Sequence, residues 1–266
     1  MADYYVTDAR VMAAALEKYK SKCHKTIKHR LRTFVALSRL NKKALRQFDD
    51  MQKGVITEAP DLWKDFSNGK IGKSITGTEV KSAFRAFIAS EQGNLCCYCQ
   101  RWLLNNGNAK PIEHILPRES FKHFAFNFWN LAVACVDCNG LKSADVWGGG
   151  DKLNVRDYPA PSSFTEMYHP RFHRFKDHVR FVRVQTNEHN ITLYRGITNQ
   201  GRKLCRDLLQ DIAAKEVLIN GNPRIKSSLA TINQFEPEEG SALEKAFLEL
   251  QEAFSAAAMK LVRPKD

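Results

Sequence analysis

Apolar residues recur at roughly helical spacing from about Ala9 to Asp50. Val11, Leu16, Tyr19, Leu31, Phe34, Val35, Leu37, Leu40, Leu45 and Phe48 fall in this stretch, with no Pro or Gly to interrupt them. The pattern predicts helix throughout. Gly54 to Gly77 is rich in turn residues and reads as a connection. Thr78 to Gln92 is a second amphipathic helix, with Val80, Phe84, Phe87 and Ile88 on its apolar side. A further helix begins near Cys138 and stops at Trp147-Gly148-Gly149-Gly150-Asp151. Pro159 to Ser163 is a turn. Alternation from Val179 to Tyr194 predicts a hairpin that turns at Asn187 to Asn190. Gln200 to Asn220 is a helix ended by Gly221 and Pro223. Ser241 to Val262 is another, with Ser241 as N-cap and Glu244 three residues on, a capping-box pattern. No internal repeat or low-complexity tract is present.

The chain has 266 residues, enough for one large domain or two smaller ones, and 43% hydrophobic residues suffice for a core. Charge changes the picture. Forty-one Lys+Arg against 29 Asp+Glu give a net charge of +12, spread over several segments rather than one tail. Such a surface attracts polyanions, of which nucleic-acid phosphate is the commonest. The first helical stretch holds Lys18, Lys20, Lys22, Lys25, Lys28, Arg30, Arg32, Arg39, Lys42, Lys43 and Arg46, so one face is strongly basic. A solvated face, a face answering an acidic partner and a phosphate-tracking face all satisfy that pattern. No apolar run reaches membrane-spanning length, and Met-Ala-Asp-Tyr-Tyr lacks a signal-peptide pattern. A cytoplasmic protein is expected.

Seven cysteines are present, four of them in two C-x-x-C pairs: Cys96 with Cys99, and Cys135 with Cys138. A two-residue spacer lets both sulfurs of a tight turn face one tetrahedral ion. The odd total argues against a disulfide framework. Structural Zn²⁺ is the expected occupant. Cys97, Cys23 and Cys205 stay unliganded, Cys97 because only Tyr98 separates it from Cys99.

Between the pairs lie Glu113-His114, on an apparent strand ended by Pro117, and then Asn130 in a loop. Asn139 opens the helix after the last cysteine. Adjacent strand residues point to opposite faces, so Glu113 and His114 serve one site only through a twist, a bulge or a strand edge. Hydrolysis of a phosphodiester needs charge neutralisation and an activated water. A neutral imidazole, with an ordinary pKa of about 6.5, can take the water's proton. Oxygen donors suit Mg²⁺ or Mn²⁺. Lys142, one turn past Asn139, and Arg118, beside the strand, are candidates to touch phosphate.

The set C-x-Y-C, E-H-x-x-P (Glu113, His114, Pro117), Asn130-Leu131 and C-x-x-C-N-x-x-K resembles the HNH endonuclease superfamily in its four-cysteine, zinc-stapled branch. The match runs from about Cys96 to Lys142. The resemblance implies an α+β chain with a ββα-metal core at 91–160, a basic helical region at 1–90 and a hairpin with C-terminal helices at 161–266. It implies His114 as general base, Glu113 and Asn139 as ligands of the catalytic Mg²⁺ or Mn²⁺, and Asn130 as the residue that shapes the loop holding the base. Glu before the His and Asn at the third motif depart from the commoner Asp and His, and both keep an oxygen donor. The basic N-terminal segment also resembles nuclease subunits of anti-phage systems of the Septu kind, some associated with retrons, which implies DNA as substrate and an ATPase partner. Tyr168 to Phe172, His178 and Gly196 to Arg202 resemble the tail that follows many bacterial HNH modules. There Arg171 and Arg202 would line a substrate channel. A non-catalytic zinc module that binds nucleic acid or protein needs only the cysteines. A sequence-reading restriction component needs a base-reading helix, which nothing here resembles.

Overall fold

A computed structural model of the chain describes residues 8–69, 75–103, 110–144, 150–185, 190–218 and 240–250, with isolated positions 227, 231, 238 and 253. It is a mixed α+β structure, mostly helical, with two small two-stranded sheets. The chain divides into two compact units, Met1–His178 and Val179–Asp266.

The first unit opens with α1 (Ala9–Lys22) and α2 (Ile27–Gln52). The helix expected from Ala9 to Asp50 is therefore broken at Cys23 to Thr26, without Pro or Gly. Side chains do the breaking by offering the backbone other partners. Cys23 Sγ donates to the Arg30 carbonyl at 3.2 Å. Thr26 N donates to His24 Nδ1 at 3.0 Å, and Arg30 Nε to the His24 carbonyl at 3.1 Å. The connection expected over Gly54 to Gly77 contains a short helix, α3 (Leu62–Asn68), capped by Asp61, whose carboxylate accepts from Trp63 N and Lys64 N.

Then comes α4 (Gly77–Glu91), started by a full capping box in which Thr76 and Glu79 satisfy each other's backbone N–H. Val80, Phe84, Phe87 and Ile88 are buried, as the periodicity predicts. Tyr19 of α1 fits among them, its ring 5.6 Å from Phe84, 5.1 Å from Phe87 and 5.0 Å from Phe128. Strands β1 (Ile112–His114) and β2 (Leu131–Val133) pair antiparallel, Glu113 opposite Ala132 and His114 opposite Leu131. The outer edge of β2 is closed by a side chain. The Gln92 amide donates to the Val133 carbonyl at 2.8 Å and accepts from Val133 N at 2.9 Å, which occupies groups that an open strand edge would leave unpaired.

Helix α5 (Val136–Lys142) follows directly. Its N-cap is Cys135, and it ends at Ser143 with φ of 45°. The helix expected to begin near Cys138 thus starts earlier, and Asn139 lies within it rather than at its opening. Of the expected stop, residues 147–149 lie outside the described residues. A four-residue helix, α6 (Phe175–His178), closes this unit.

In the second unit β3 (Val179–Gln185) and β4 (Asn190–Gly196) form the expected antiparallel hairpin. The turn residues 187–189 lie outside the described residues. Helix follows from α7 (Asn199–Leu204) through a π-turn at Cys205–Leu209 into α8 (Gln210–Leu218). Thr198 caps α7 by accepting from Gly201 N. A Cβ on Gly196 would lie 2.2 Å from Arg202 N, so only glycine lets the strand meet the helix start this closely. The expected end of this helix, at Asn220 to Pro223, lies outside the described residues. Residues 242–250 are helical. Ser241 Oγ accepts from Glu244 N at 3.1 Å, while the Glu244 carboxylate accepts from Gly240 N, one residue before the expected position.

Candidate functional site

The four paired cysteines converge. Their sulfurs all lie within 4.8 Å of one another, and Cys97 is not among them. A tetrahedral ion with Zn–S bonds of about 2.3 Å needs sulfur–sulfur edges of about 3.8 Å. Cys99 Sγ and Cys135 Sγ are 3.8 Å apart. Backbone and guanidinium donors surround the cluster. Cys135 N donates to Cys96 Sγ at 3.2 Å and Cys138 N to Cys135 Sγ at 3.5 Å. Arg101 reaches Cys99 Sγ at 3.4 Å and Cys135 Sγ at 3.6 Å, and pairs with Asp137 at 2.7 Å. Hydrogen bonds from the neighbouring thiols hold Cys135 far below the ordinary thiol range and push Cys99 and Cys138 up. Four thiols this close cannot ionise together unless a cation sits among them. The donor set, spacing and outer hydrogen bonds are compatible with a structural zinc ion.

The cluster seats α5 against β1. Cys97 N donates to the Val133 carbonyl at 3.1 Å, tying the first cysteine turn to β2. Lys142, four residues after Cys138 and so on the same helical face, points inward. Its Nζ lies 2.8 Å from Glu113 Oε1 and donates to the His114 carbonyl at 3.1 Å. Tyr98 OH donates to the same Glu113 oxygen at 3.1 Å. The Lys142 side chain is 0% exposed and that of Glu113 5%. Burial moves the Glu113 carboxyl up from its ordinary range, against the pull of Lys142 and Tyr98. Lys142 is therefore not presented to an external phosphate; it is the counter-ion of Glu113.

His114 points to the other side of β1. Its Nε2 lies 3.1 Å from the Ala125 carbonyl, which can only accept, so Nε2 carries the proton and Nδ1 holds the lone pair. The Trp63 ring meets it edge-on with centroids 4.6 Å apart. Burial pushes its pKa down to about 3, opposed by the Ala125 hydrogen bond and assisted by Arg118, Lys142 and Lys81. The imidazole is neutral near pH 7, its pKa far below the ordinary 6.5.

Asn130 is fully buried and holds the loop after β1. Its Oδ1 accepts from Leu116 N at 2.7 Å, and its Nδ2 donates to the Leu116 and Phe124 carbonyls, both at 3.1 Å. It touches neither Glu113 nor His114 through these bonds. Asn139 lies half-exposed on α5, one turn before Lys142 on the same side. Arg118 is 29% exposed and pairs with Asp61 and Glu119, each at 3.4 Å. Arg171 is fully buried rather than lining a channel. Its guanidinium donates to the Phe128 and Leu131 carbonyls at 3.1 and 2.6 Å and lies 4.4 Å from the Phe128 ring centroid. Arg202 belongs to the second unit and donates to Asn199 Oδ1 at 2.7 Å.

Several supporting residues escaped sequence reasoning. Trp63 sits in a stretch read as turns, although Pro60-Asp61 before it is a helix-start signal. Tyr98 was legible as the Tyr of the C-x-Y-C element but not as a partner of Glu113. Tyr158 and His169 back Asn130. His169 Nδ1 accepts from Arg171 N at 3.2 Å, so the neutral ring carries its proton on Nε2 and donates it to Tyr158 OH at 2.8 Å. Tyr158 OH in turn donates to Asn130 Oδ1 at 3.3 Å. His123 is structural: its Nε2 bonds the Val155 carbonyl at 3.0 Å and its ring packs 4.2 Å from Phe48.

No helix among the described residues is long and apolar enough to cross a membrane. No family model matches the chain, and no solved structure matches it. The chain is similar to a curated protein, "Septu protein PtuB" of Bacillus thuringiensis, at 28% identity over 88 residues. The similar segment is 33% of this chain and 32% of that protein, so the likeness spans about a third of each and marks a distant, partial relation to a Septu component.

Proposed function

We propose that the chain is a metal-dependent HNH-type endonuclease that hydrolyses phosphodiester bonds in DNA and acts in antiviral defence with an ATPase partner. One observation carries the reading. The thiolate-clamped helix and the Glu-His strand share one site, since Lys142 of α5 reaches both Glu113 and the His114 carbonyl. Zinc alone does not require that arrangement. The partial likeness to a Septu protein supports the defence context.

Glu113 and Asn139 would hold Mg²⁺ or Mn²⁺, because both offer hard oxygen donors. That fit requires Lys142 to release Glu113, whose Oε1 now serves both Lys142 and Tyr98. When bound, the ion neutralises charge on the phosphate and the departing alkoxide. His114 accepts the proton of the attacking water at Nδ1, while its Nε2–H stays anchored on Ala125. An imidazole held near 3 is a weak base, and an anionic phosphate beside it raises that basicity. Asn130 keeps the 116–124 loop closed behind the base. Arg118, the most exposed of the candidate cations around β1, meets phosphate.

The test is nicking of supercoiled plasmid with Mg²⁺ or Mn²⁺, wild type against His114→Ala. A loss of at least about a hundredfold is expected, the usual scale for a general base. Cleavage that persists in the variant overturns the assignment. The buried Glu113–Lys142 pair favours a second reading, a non-catalytic zinc-binding nucleic-acid or protein interaction module. A zinc-loaded protein that never cuts under either metal selects it.

A further inference from the structure

The outward face of α2 carries a charge pattern that helix stability does not explain. Lys28, Arg32, Arg39, Lys42, Lys43 and Arg46 are all exposed, while Thr33, Ala36, Leu37 and Ala44 face the core. At about 100° per residue those six cations fall within an arc of about 100°, and at about 1.5 Å per residue they run for about 27 Å. No carboxylate interrupts α2 before Asp49. Asp49 itself is bound to Arg156 at 2.7 Å. Among the described residues Lys28, Arg39, Lys42, Lys43 and Arg46 make no ion pair.

Like charges three and four residues apart destabilise a helix. The ends are also set against the helix dipole: no acid lies in the first turn and no base in the last, while Lys28 and Arg30 sit near the start and Asp49 and Asp50 near the finish. A surface shaped only for solubility would mix signs. A bound polyanion relieves the repulsion along the stripe.

We propose that this face of α2 is a track for the phosphate backbone of duplex DNA, covering about eight base pairs at about 3.4 Å per step. The proposal rests on the nuclease reading for its choice of DNA. Phe48, on the opposite side of α2, packs on His123, so the track is fixed to the loop whose Ala125 anchors His114.

The test uses the full chain bearing His114→Ala and a fluorescein-labelled duplex of about 20 base pairs, with affinity followed against salt. One variant adds Arg39→Gln, Lys42→Gln, Lys43→Gln and Arg46→Gln. A control instead adds Lys20→Gln, Lys22→Gln, Lys64→Gln and Lys176→Gln, equal in charge but off α2. Each lost phosphate contact lowers the log–log salt slope by about 0.9, so the stripe variant should lose about 3 to 4 in slope and more than tenfold in affinity at about 0.1 M salt, and the control far less. Equal losses, or none, overturn the track. So does a stripe variant that binds DNA normally but no longer binds polyglutamate, which would mark the face as a site for an acidic protein. If wild type never cuts plasmid yet the stripe variant alone loses slope, the nuclease reading falls and the track stands. The substituted side chains are exposed, and an unchanged melting temperature checks that the fold survives.

Discussion

Lys142 Nζ lies 2.8 Å from Glu113 Oε1, both side chains almost wholly out of water. An ion pair of this kind contributes little net stability, because desolvation offsets the attraction, but breaking it from one side is costly. Lys142→Met should destabilise the fold by about 3–5 kcal/mol, and the double variant Lys142→Met/Glu113→Gln should recover most of that. Urea unfolding of the single and double variants measures both. Equal losses in the two would place the cost in packing rather than in the stranded carboxylate.

Metal content is the second expectation. The purified chain should carry one zinc per molecule by mass spectrometry. Cys138→Ser should lose it, and Cys97→Ser should keep it, since the Cys97 sulfur lies outside the cluster. Apparent binding energies of structural zinc run to about 10–16 kcal/mol, so a strong chelator should melt β1, β2 and α5 together, seen as lost helical circular dichroism.

Asn130 makes three hydrogen bonds to the loop it closes. Asn130→Ala strands Leu116 N and two carbonyls without partners, for a loss of roughly 2–4 kcal/mol. Tyr158→Phe removes the donor behind it and leaves the buried His169 Nε2–H without its acceptor, and should cost about 1–2 kcal/mol. Thermal denaturation orders the two, and a larger loss for Tyr158→Phe would contradict the hydrogen-bond scheme.

Acid should unfold the protein in a defined window. Burial and the nearby His178 push His173 down to about 4, and burial lowers His123 and His169 as well. In the unfolded chain these groups take up protons near pH 6.5, while the folded chain refuses them. Stability is then complete above about pH 6.5 and falls as pH drops toward 4. His173, partly screened by solvent, accounts for roughly 1–3 kcal/mol. Urea midpoints measured across that range should shift less in His173→Gln than in wild type.

The cysteine spacing, the alternation of the hairpin and the Ser241 cap were legible because each depends on local chemistry. Position 142 was also readable in principle: four residues past Cys138, it shares the face that turns toward the sulfurs. What hid it was the habit of reading lysine as surface. Arg171 gave no such cue, since its carbonyl partners at Phe128 and Leu131 lie some forty positions away. The break at Cys23 to Thr26 was invisible for another reason. It is made by a thiol, an imidazole and a guanidinium that each pair with nearby backbone, in a stretch whose periodicity stays helical. The basic face of α2 was plain in the sequence, but not that Lys28, Arg39, Lys42, Lys43 and Arg46 make no ion pair among the described residues, which needs the surrounding fold.

Cys135 serves two structures with one atom. Its sulfur belongs to the four-thiol cluster and also accepts the N–H that begins α5. It is the one member of the cluster that is not fully buried. A peroxide reaching it would strip a ligand and a helix cap in one event, so that oxidative damage, ion release and unwinding of the segment bearing Asn139 and Lys142 would proceed in step.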